Sequence, residues 1–284
     1  MTQLLKGAPV AAALREKTEK QVQDLKEAGV IPTLAILRVG ERPDDISYEN
    51  GACRRAEAAG VAALTFTLSQ NAPQQELADT IMMVNEDPRI HGVLLLRPLP
   101  KYMDEERLVN LLSPRKDVDG ITDGSLTGVF TGKRTGFAPC TAQACMEILD
   151  YYGISCGGKK AVVTGRSLVV GRPLAMLLLH RNATVTLCHS RTQDLAGQMR
   201  EGDIVIAAAG QRQMFGREYL NEGQTVLDVG IHFDDEGRMC GDVVMEEAMD
   251  RVAALTPVPG GVGAVTTAVL ISHVAEAARR SLDR

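Results

Sequence analysis

The residues of this chain best suited to chemistry lie in stretches rich in glycine. Thr256-Pro-Val-Pro-Gly-Gly-Val-Gly263 packs two prolines and three glycines into eight residues. Proline fixes φ and removes an N–H donor, whereas glycine admits positive φ and lets a ligand come close to the main chain. A stiff loop of this kind suits a flat ligand; the plainer reading is a loop ahead of a terminal helix. Gly165-Arg-Ser-Leu-Val-Val-Gly171 follows a run that reads as a strand and opens one that reads as a helix, with Pro173 near the helix start. The spacing departs from G-x-G-x-x-G, but the device is the same: a tight turn, then helix N–H groups left free to face a pyrophosphate.

The next strand bears on which dinucleotide is bound. A site for NAD places Asp or Glu at the end of that strand, against the ribose 2′-hydroxyl. Here Val185-Thr-Leu-Cys-His-Ser-Arg-Thr192 puts His189, Ser190 and Arg191 in that place. A hydroxyl and a cation suit a 2′-phosphate, and Arg166 adds a second guanidinium. The expected cofactor is therefore NADP rather than NAD, held by Gly165, Arg166, Ser167, Gly171, Ser190, Arg191 and Ile231. The competing reading makes Arg191 solvated surface and Ser190 a helix cap. Ala207-Ala-Ala-Gly210 and Asp228-Val-Gly-Ile231 end two further strands. Carboxyl ends of strands line the ligand crevice of an open α/β sheet; tight strand–helix packing explains the alanines equally well and the Asp228-x-Gly230 turn less well.

These loops need elements to position them. Helix patterns cover 8–28, 44–59 and 73–86, separated by strand patterns at Thr33–Val39, Ala62–Leu68 and Gly92–Leu96. Between Arg115 and Thr141 the pattern breaks into Gly, Asp, Thr and Pro, the best candidate for a linker. A helix follows at 142–152, then strands at Lys160–Thr164, Thr184–Leu187, Ile204–Ala207 and Thr225–Val229, and a last helix at 265–280 that could pack back on the first domain. Strands alternating with helices imply βαβ units and a mainly parallel sheet.

Composition narrows the function classes. The chain has 284 residues, 45% hydrophobic and 24% charged, as in an ordinary globular protein. With no Trp, five Phe and five Tyr, its core must be aliphatic. A net charge of −5 gives no global field favouring nucleic acid or an anionic membrane. No apolar run reaches the roughly 20 residues of a membrane span, and Met1-Thr-Gln-Leu-Leu-Lys6 leads into an amphipathic helix without a signal-peptide pattern. Six cysteines, at 53, 140, 145, 156, 188 and 240, form no CxxC pair. They read as the reduced thiols of a cytoplasmic protein, and no metal site is expected, since His189 beside Cys188 lacks a second ligand pair.

Taken together, Gly92-Val-Leu-Leu-Leu-Arg-Pro-Leu-Pro100, Lys116-Asp-Val-Asp-Gly120, Pro139-Cys-Thr141, Gly165-Arg-Ser167 with Val170-Gly171, Cys188-His-Ser190, Asp228-Val-Gly-Ile231, Gly241-Asp-Val243 and Pro257 to Gly263 resemble the methylenetetrahydrofolate dehydrogenase/cyclohydrolase family over nearly the whole chain. The resemblance implies two α/β domains around a cleft, the second a Rossmann-type doubly wound parallel sheet. A folate-binding catalytic domain would span 1–138, joined by a C-terminal helix at 265–284, and an NADP-binding domain 139–264. It also implies tetrahydrofolate substrates and a homodimer formed through the Rossmann domain. By the same resemblance Tyr48 and Asp119 would be the catalytic residues, with Tyr48 against the pterin ring and Asp119 accepting the pterin's N–H groups, as a carboxylate can do two at a time. A turn role in Asp-Val-Asp-Gly is the plainer reading of Asp119. The substrate site would comprise Tyr48, Ala52, Leu96, Arg97, Asp119, Pro259, Gly260, Gly261, Val262 and Gly263, the last five also bordering the nicotinamide.

Two positions depart from the family's pattern. Its lysine four residues after the tyrosine is Ala52 here, and the glutamine of its Val-Gln-Leu-Pro-Leu-Pro is Leu96. Oxidising a methylene bridge is a hydride transfer that needs alignment and no obligatory general acid. Hydrolysing the methenyl bridge needs an activated water and proton movement. Arg54, Arg55 and Arg97 are nearby, but guanidinium stays protonated and shuttles protons poorly. The first expectation is therefore an NADP-dependent dehydrogenase with weak or absent cyclohydrolase activity, and the alternative a fully bifunctional enzyme. Two other classes compete: a non-catalytic NADP-binding module, and an NAD-linked dehydrogenase of some other small substrate. Tyr48, Asp119 and the Pro-Gly loop argue against both.

Overall fold

The computed structural model describes residues 2–282. In chain order the elements are β1 (Gln3–Leu4), α1 (Gly7–Glu27), β2 (Thr33–Val39), α2 (Pro43–Ala58), β3 (Ala62–Leu68), α3 (Gln74–Glu86), β4 (Gly92–Leu95), α4 (Glu105–Val109), α5 (Asp123–Thr131) and α6 (Cys140–Tyr151). They continue with β5 (Lys160–Thr164), α7 (Gly171–His180), β6 (Thr184–Cys188), α8 (Leu195–Arg200), β7 (Ile204–Ala207), β8 (Thr225–Asp228), β9 (His232–Phe233), β10 (Met239–Cys240), α9 (Met245–Ala248), β11 (Ala254–Leu255) and α10 (Thr266–Leu282). The chain divides into two units. One takes the chain through Ala12 with Cys140–Thr266, the other Ala13–Pro139 with the chain from Thr267 onward.

The unit built on Cys140–Thr266 holds a six-stranded sheet in the order β1-β11-β8-β7-β5-β6, every adjacent pair parallel. The chain runs outward from β5 to β6 and then returns to β7 on the other side of β5, so the order reverses between β5 and β7. Every residue of β7 is buried, as expected for a parallel strand covered on both faces. The first residues depart from the expected assignment to the folate-side domain. Gln3 and Leu4 pair with Ala254 and Leu255, Leu5 is buried, and the Thr2 hydroxyl bonds the carbonyls of Met249 and Val252.

The other unit has a three-stranded parallel sheet, β3-β2-β4. Its central strand β2 is buried throughout. Helix α3 turns Leu77, Ile81 and Val84, at i, i+4 and i+7, into an aliphatic core with Leu37, Leu95 and Leu108. The segment read as a linker contains the boundary between the two units, at Pro139 and Cys140, but most of it is folded into this unit. It forms a bridge between Val93 and Asp117 and then α5, whose N-cap Thr122 accepts the Ser125 N–H at 3.1 Å and whose C-cap is the left-handed Gly132. Its Gly, Asp and Thr residues are helix caps and turns, the same residue types that punctuate loops.

Candidate active site

In the three-stranded unit the expected folate residues all sit on segments leaving the carboxyl ends of adjacent parallel strands. Tyr48 lies in α2, which follows β2; Leu96 and Arg97 directly follow β4; and Asp119 follows Asp117, which extends the sheet in parallel beside Val93. That edge is where open α/β sheets bind ligands. Helix α2 starts with Pro43 at its first turn and has Asp44 and Asp45 there, complementing the helix dipole. Tyr48 is 46% exposed. Its neighbour Glu49 accepts from Arg38 at 2.8 Å, a pair with both side chains mostly buried, and Arg38 also bonds Thr67 Oγ1 at 3.2 Å and the Gly40 carbonyl. A charge-assisted anchor thus fixes the helix turn that presents Tyr48.

Ala52 is 1% exposed and Leu96 7% exposed, so the two positions that depart from the family's pattern are packed and apolar. Arg54 and Arg55 are exposed, and the Arg55 guanidinium lies over Gly51, on the helix face shared with Tyr48. Arg97 pairs with Glu105 at 3.5 Å, and Glu105 also accepts the Leu99 N–H at 2.7 Å. Asp119 is half-buried in a firmly held turn. Before it, Asp117 is fully buried and accepts from Ile121 N, Thr122 N and Ser125 Oγ at 3.0, 2.8 and 2.7 Å. After it, Gly120 has φ of +72° and sits so close to Ala138 and Pro139 that a Cβ would collide with their main chain.

In the six-stranded unit, Gly165 ends β5 at the point where strand order reverses, with φ of +121°. A Cβ there would strike the Ala208 carbonyl, and one on Gly171 would strike the Gly165 carbonyl. Both glycines are thus dictated by close main-chain approach, the geometry of a phosphate-binding turn at a helix start. Ser167 Oγ accepts the Val170 N–H at 3.1 Å and shapes the turn. Next to it is a cavity of about 190 Å³ with Gly165, Arg166, His189 and Ser190 as polar wall and Leu195 and Met214 as apolar wall. Its size and lining fit part of a nucleotide, with Arg166 and Ser190 able to meet a phosphate. Arg191 does not line it; it is exposed, and its backbone N–H donates to His189 Nδ1 at 3.1 Å.

Ile231 is exposed beside Gly263, bringing the end of the Pro-Gly loop next to the fourth strand end. That loop is tied down by the Gly7 N–H on the Gly260 carbonyl (2.8 Å) and by Thr256 Oγ1, which accepts the Asp228 N–H (2.7 Å). Pro259, Gly260 and Gly263 are exposed, Gly261 and Val262 buried. Sequence reasoning missed the carboxylate pair beneath. Asp228 accepts Gly230 N, Asp242 N and Val243 N at 3.0, 3.0 and 2.9 Å, while Asp242 accepts Gly210 N and Gln211 N and contacts His232 Nε2 at 2.7 Å. Burial pushes the Asp228 carboxyl up to about 6 against the pull of those three N–H bonds. The two motifs Asp228-Val-Gly and Gly241-Asp-Val were the available signal; nothing local marks His232. Among the described residues no group of His, Cys, Asp and Glu could hold a metal, and all six cysteines are free thiols.

A phosphate-binding turn at the switch point of a parallel sheet, coupled in one chain to a second α/β unit, defines a dinucleotide-dependent α/β protein. The catalytic-domain model of tetrahydrofolate dehydrogenase/cyclohydrolase matches residues 5–119, and the NAD(P)-binding-domain model matches 139–282. The bifunctional protein FolD 1 of Desulfitobacterium hafniense is 46% identical over 279 residues, covering 98% of this chain and 99% of its own. The crystal structure of the bifunctional enzyme FolD, methylenetetrahydrofolate dehydrogenase/cyclohydrolase, from Campylobacter jejuni has a TM-score of 0.95 at 35% identity, covering 99% of both chains. The Trypanosoma brucei dehydrogenase-cyclohydrolase, complexed with NADP cofactor and inhibitor, has a TM-score of 0.91 at 33% identity, covering 100% of this chain and 99% of its own. This chain belongs to the tetrahydrofolate dehydrogenase/cyclohydrolase family.

Proposed function

We propose that this protein oxidises 5,10-methylenetetrahydrofolate to 5,10-methenyltetrahydrofolate with NADP, and opens the methenyl product to 10-formyltetrahydrofolate. The observation that carries the reading is the presence of both family domains in one chain, together spanning most of its length. It favours the bifunctional alternative over a dehydrogenase with weak ring opening, as do the names of the full-length relatives. Gly165, Arg166, Ser167, Gly171 and Ser190 hold the cofactor, and Ile231 borders it, in this reading. NADP, when bound, supplies a hydride acceptor at the nicotinamide ring. Tyr48 stacks on the pterin, and Asp119 accepts its N–H groups. Pro259 to Gly263 supply a rigid main-chain border, which lowers the entropy cost of alignment.

A second reading, dehydrogenase alone, rests on Ala52 and Leu96. Both are buried and apolar, and neither can activate water or carry a proton. One preparation decides between them. NADPH formation from methylenetetrahydrofolate is followed beside the decay of added methenyltetrahydrofolate. The bifunctional reading expects decay that scales with enzyme concentration; decay at the rate of buffer alone would overturn it in favour of the second. No NADPH formation would overturn both, and together with decay at the rate of buffer alone would favour a non-catalytic module.

The family resemblance supports a homodimer through the six-stranded unit. The strand β6 lies at the sheet edge with Leu187 exposed, a surface that a second copy would cover. Six free thiols suit a reducing, cytoplasmic setting, and no described helix is long and apolar enough to cross a membrane.

A further inference from the structure

We infer that His273 is a positioning residue for Asp119: it orients the peptide plane from which the carboxylate side chain departs. The inference rests on the proposed role of Asp119 in holding the pterin. His273 lies two turns into α10, and its Nδ1 is 2.8 Å from the Val118 carbonyl. A carbonyl only accepts, so Nδ1 carries the hydrogen and the tautomer is set. The Val118 carbonyl and the Asp119 N–H belong to one rigid peptide plane. Holding that carbonyl restrains this plane, and the Gly120 N–H on the Asp117 carbonyl at 3.2 Å restrains the next one, so together they limit the direction in which the Asp119 side chain leaves the main chain.

The surroundings make this a built contact. Gly92 has no Cβ, and one placed there would collide with Val118 and press on Val274, so the turn and α10 both reach β4 only because this residue is glycine. The His273 ring packs on Phe137 at 4.8 Å. Arg280 lies over that phenyl ring at 4.3 Å and is itself held by Glu276 at 3.0 Å and the Gly136 carbonyl at 3.1 Å. Lys116 Nζ donates to the Val84 and Asp87 carbonyls at 2.8 and 2.7 Å, anchoring the turn upstream. Lys116, Asp117 and Gly120 therefore hold the flanks, and His273 acts at the remaining plane beside Asp119. Burial lowers the imidazole to about 4, so the donor stays neutral at physiological pH. A two-point bond to a flat ligand edge tolerates only about 10–20° of misalignment, so a loosened plane weakens it.

The test compares His273→Asn, whose amide nitrogen takes the place of Nδ1, with His273→Gln, whose amide lies one carbon further out. Purified variants are assayed for NADPH formation across methylenetetrahydrofolate and NADP concentrations. The expected result is a rise of about tenfold in folate KM for Gln, the scale of one lost hydrogen bond. His273→Asn should stay within about twofold of wild type, with kcat and NADP KM little changed in both. Equal loss in Asn and Gln, no loss in Gln, loss falling on kcat or NADP KM, or failure of Gln to fold would each overturn the inference. The wild-type assay separates the two claims: an inactive wild type refutes the proposed function, whereas an active wild type with any of those outcomes refutes His273 alone.

Discussion

At the scale of single residues, chemistry and scaffold divide cleanly. Gly165 and Gly171 were legible in the sequence because main chain meets main chain there, and no other residue fits. Arg166 and Ser190 were legible from charge and strand position, and they line one cavity, whereas Arg191 followed the same argument and lies outside it. Asp117 and His273 were not legible: each acts by bonding main chain, and His273 reaches a carbonyl 155 residues away. If Arg166 meets the 2′-phosphate as proposed, Arg166→Ala removes a charge-assisted bond worth about 1.5–3 kcal/mol and weakens NADP binding about tenfold or more. Binding of NAD, which has no 2′-phosphate, should stay within about twofold. Fluorescence titration of both cofactors checks this; equal weakening would place Arg166 elsewhere on the dinucleotide.

At the scale of elements, long buried strands and amphipathic helices declared themselves, since parallel strands covered on both faces read as aliphatic runs. The short pieces did not. The two residues of β1 carry no periodicity, and their assignment to the six-stranded sheet comes from pairing with β11, some 250 residues later. Helix α5 hid inside Gly, Asp and Thr that serve as its caps. The end strand β1 should nonetheless contribute to stability, because Leu5 is fully buried and Thr2 bonds two carbonyls. Removing the chain through Leu5 forfeits about 1.5–3 kcal/mol from the leucine alone. Hydrogen exchange should then speed up at the β11 amides, with β2 and β4 unchanged; unaltered protection of β11 would contradict the role given to β1.

At the scale of the whole molecule, two buried titrating groups pull in opposite directions with pH. His273 is lowered from 6.5 to about 4, so its stabilisation is complete above about 6.5 and is lost as pH falls through that window. Asp228 is raised from 3.8 to about 6, so its contribution is complete at low pH and is lost as pH rises between those values. The two offset each other in the overall curve, and the difference between wild type and His273→Asn isolates the imidazole. Wild type should lose stability relative to that variant as pH drops from about 7 to about 4, read from urea midpoints; a constant difference would show that His273 titrates as in the unfolded chain.

The most direct measurement follows the reacting hydrogen itself. Methylenetetrahydrofolate carrying two deuterium atoms on its one-carbon bridge is incubated with the protein and NADP, and the reduced cofactor is analysed by mass spectrometry and NMR. Direct hydride transfer predicts one deuterium per reduced cofactor, located at C4 of the nicotinamide, with none exchanged into water. Reduced cofactor without the label, or deuterium released to solvent, would contradict a pterin held with its bridge aligned for that transfer.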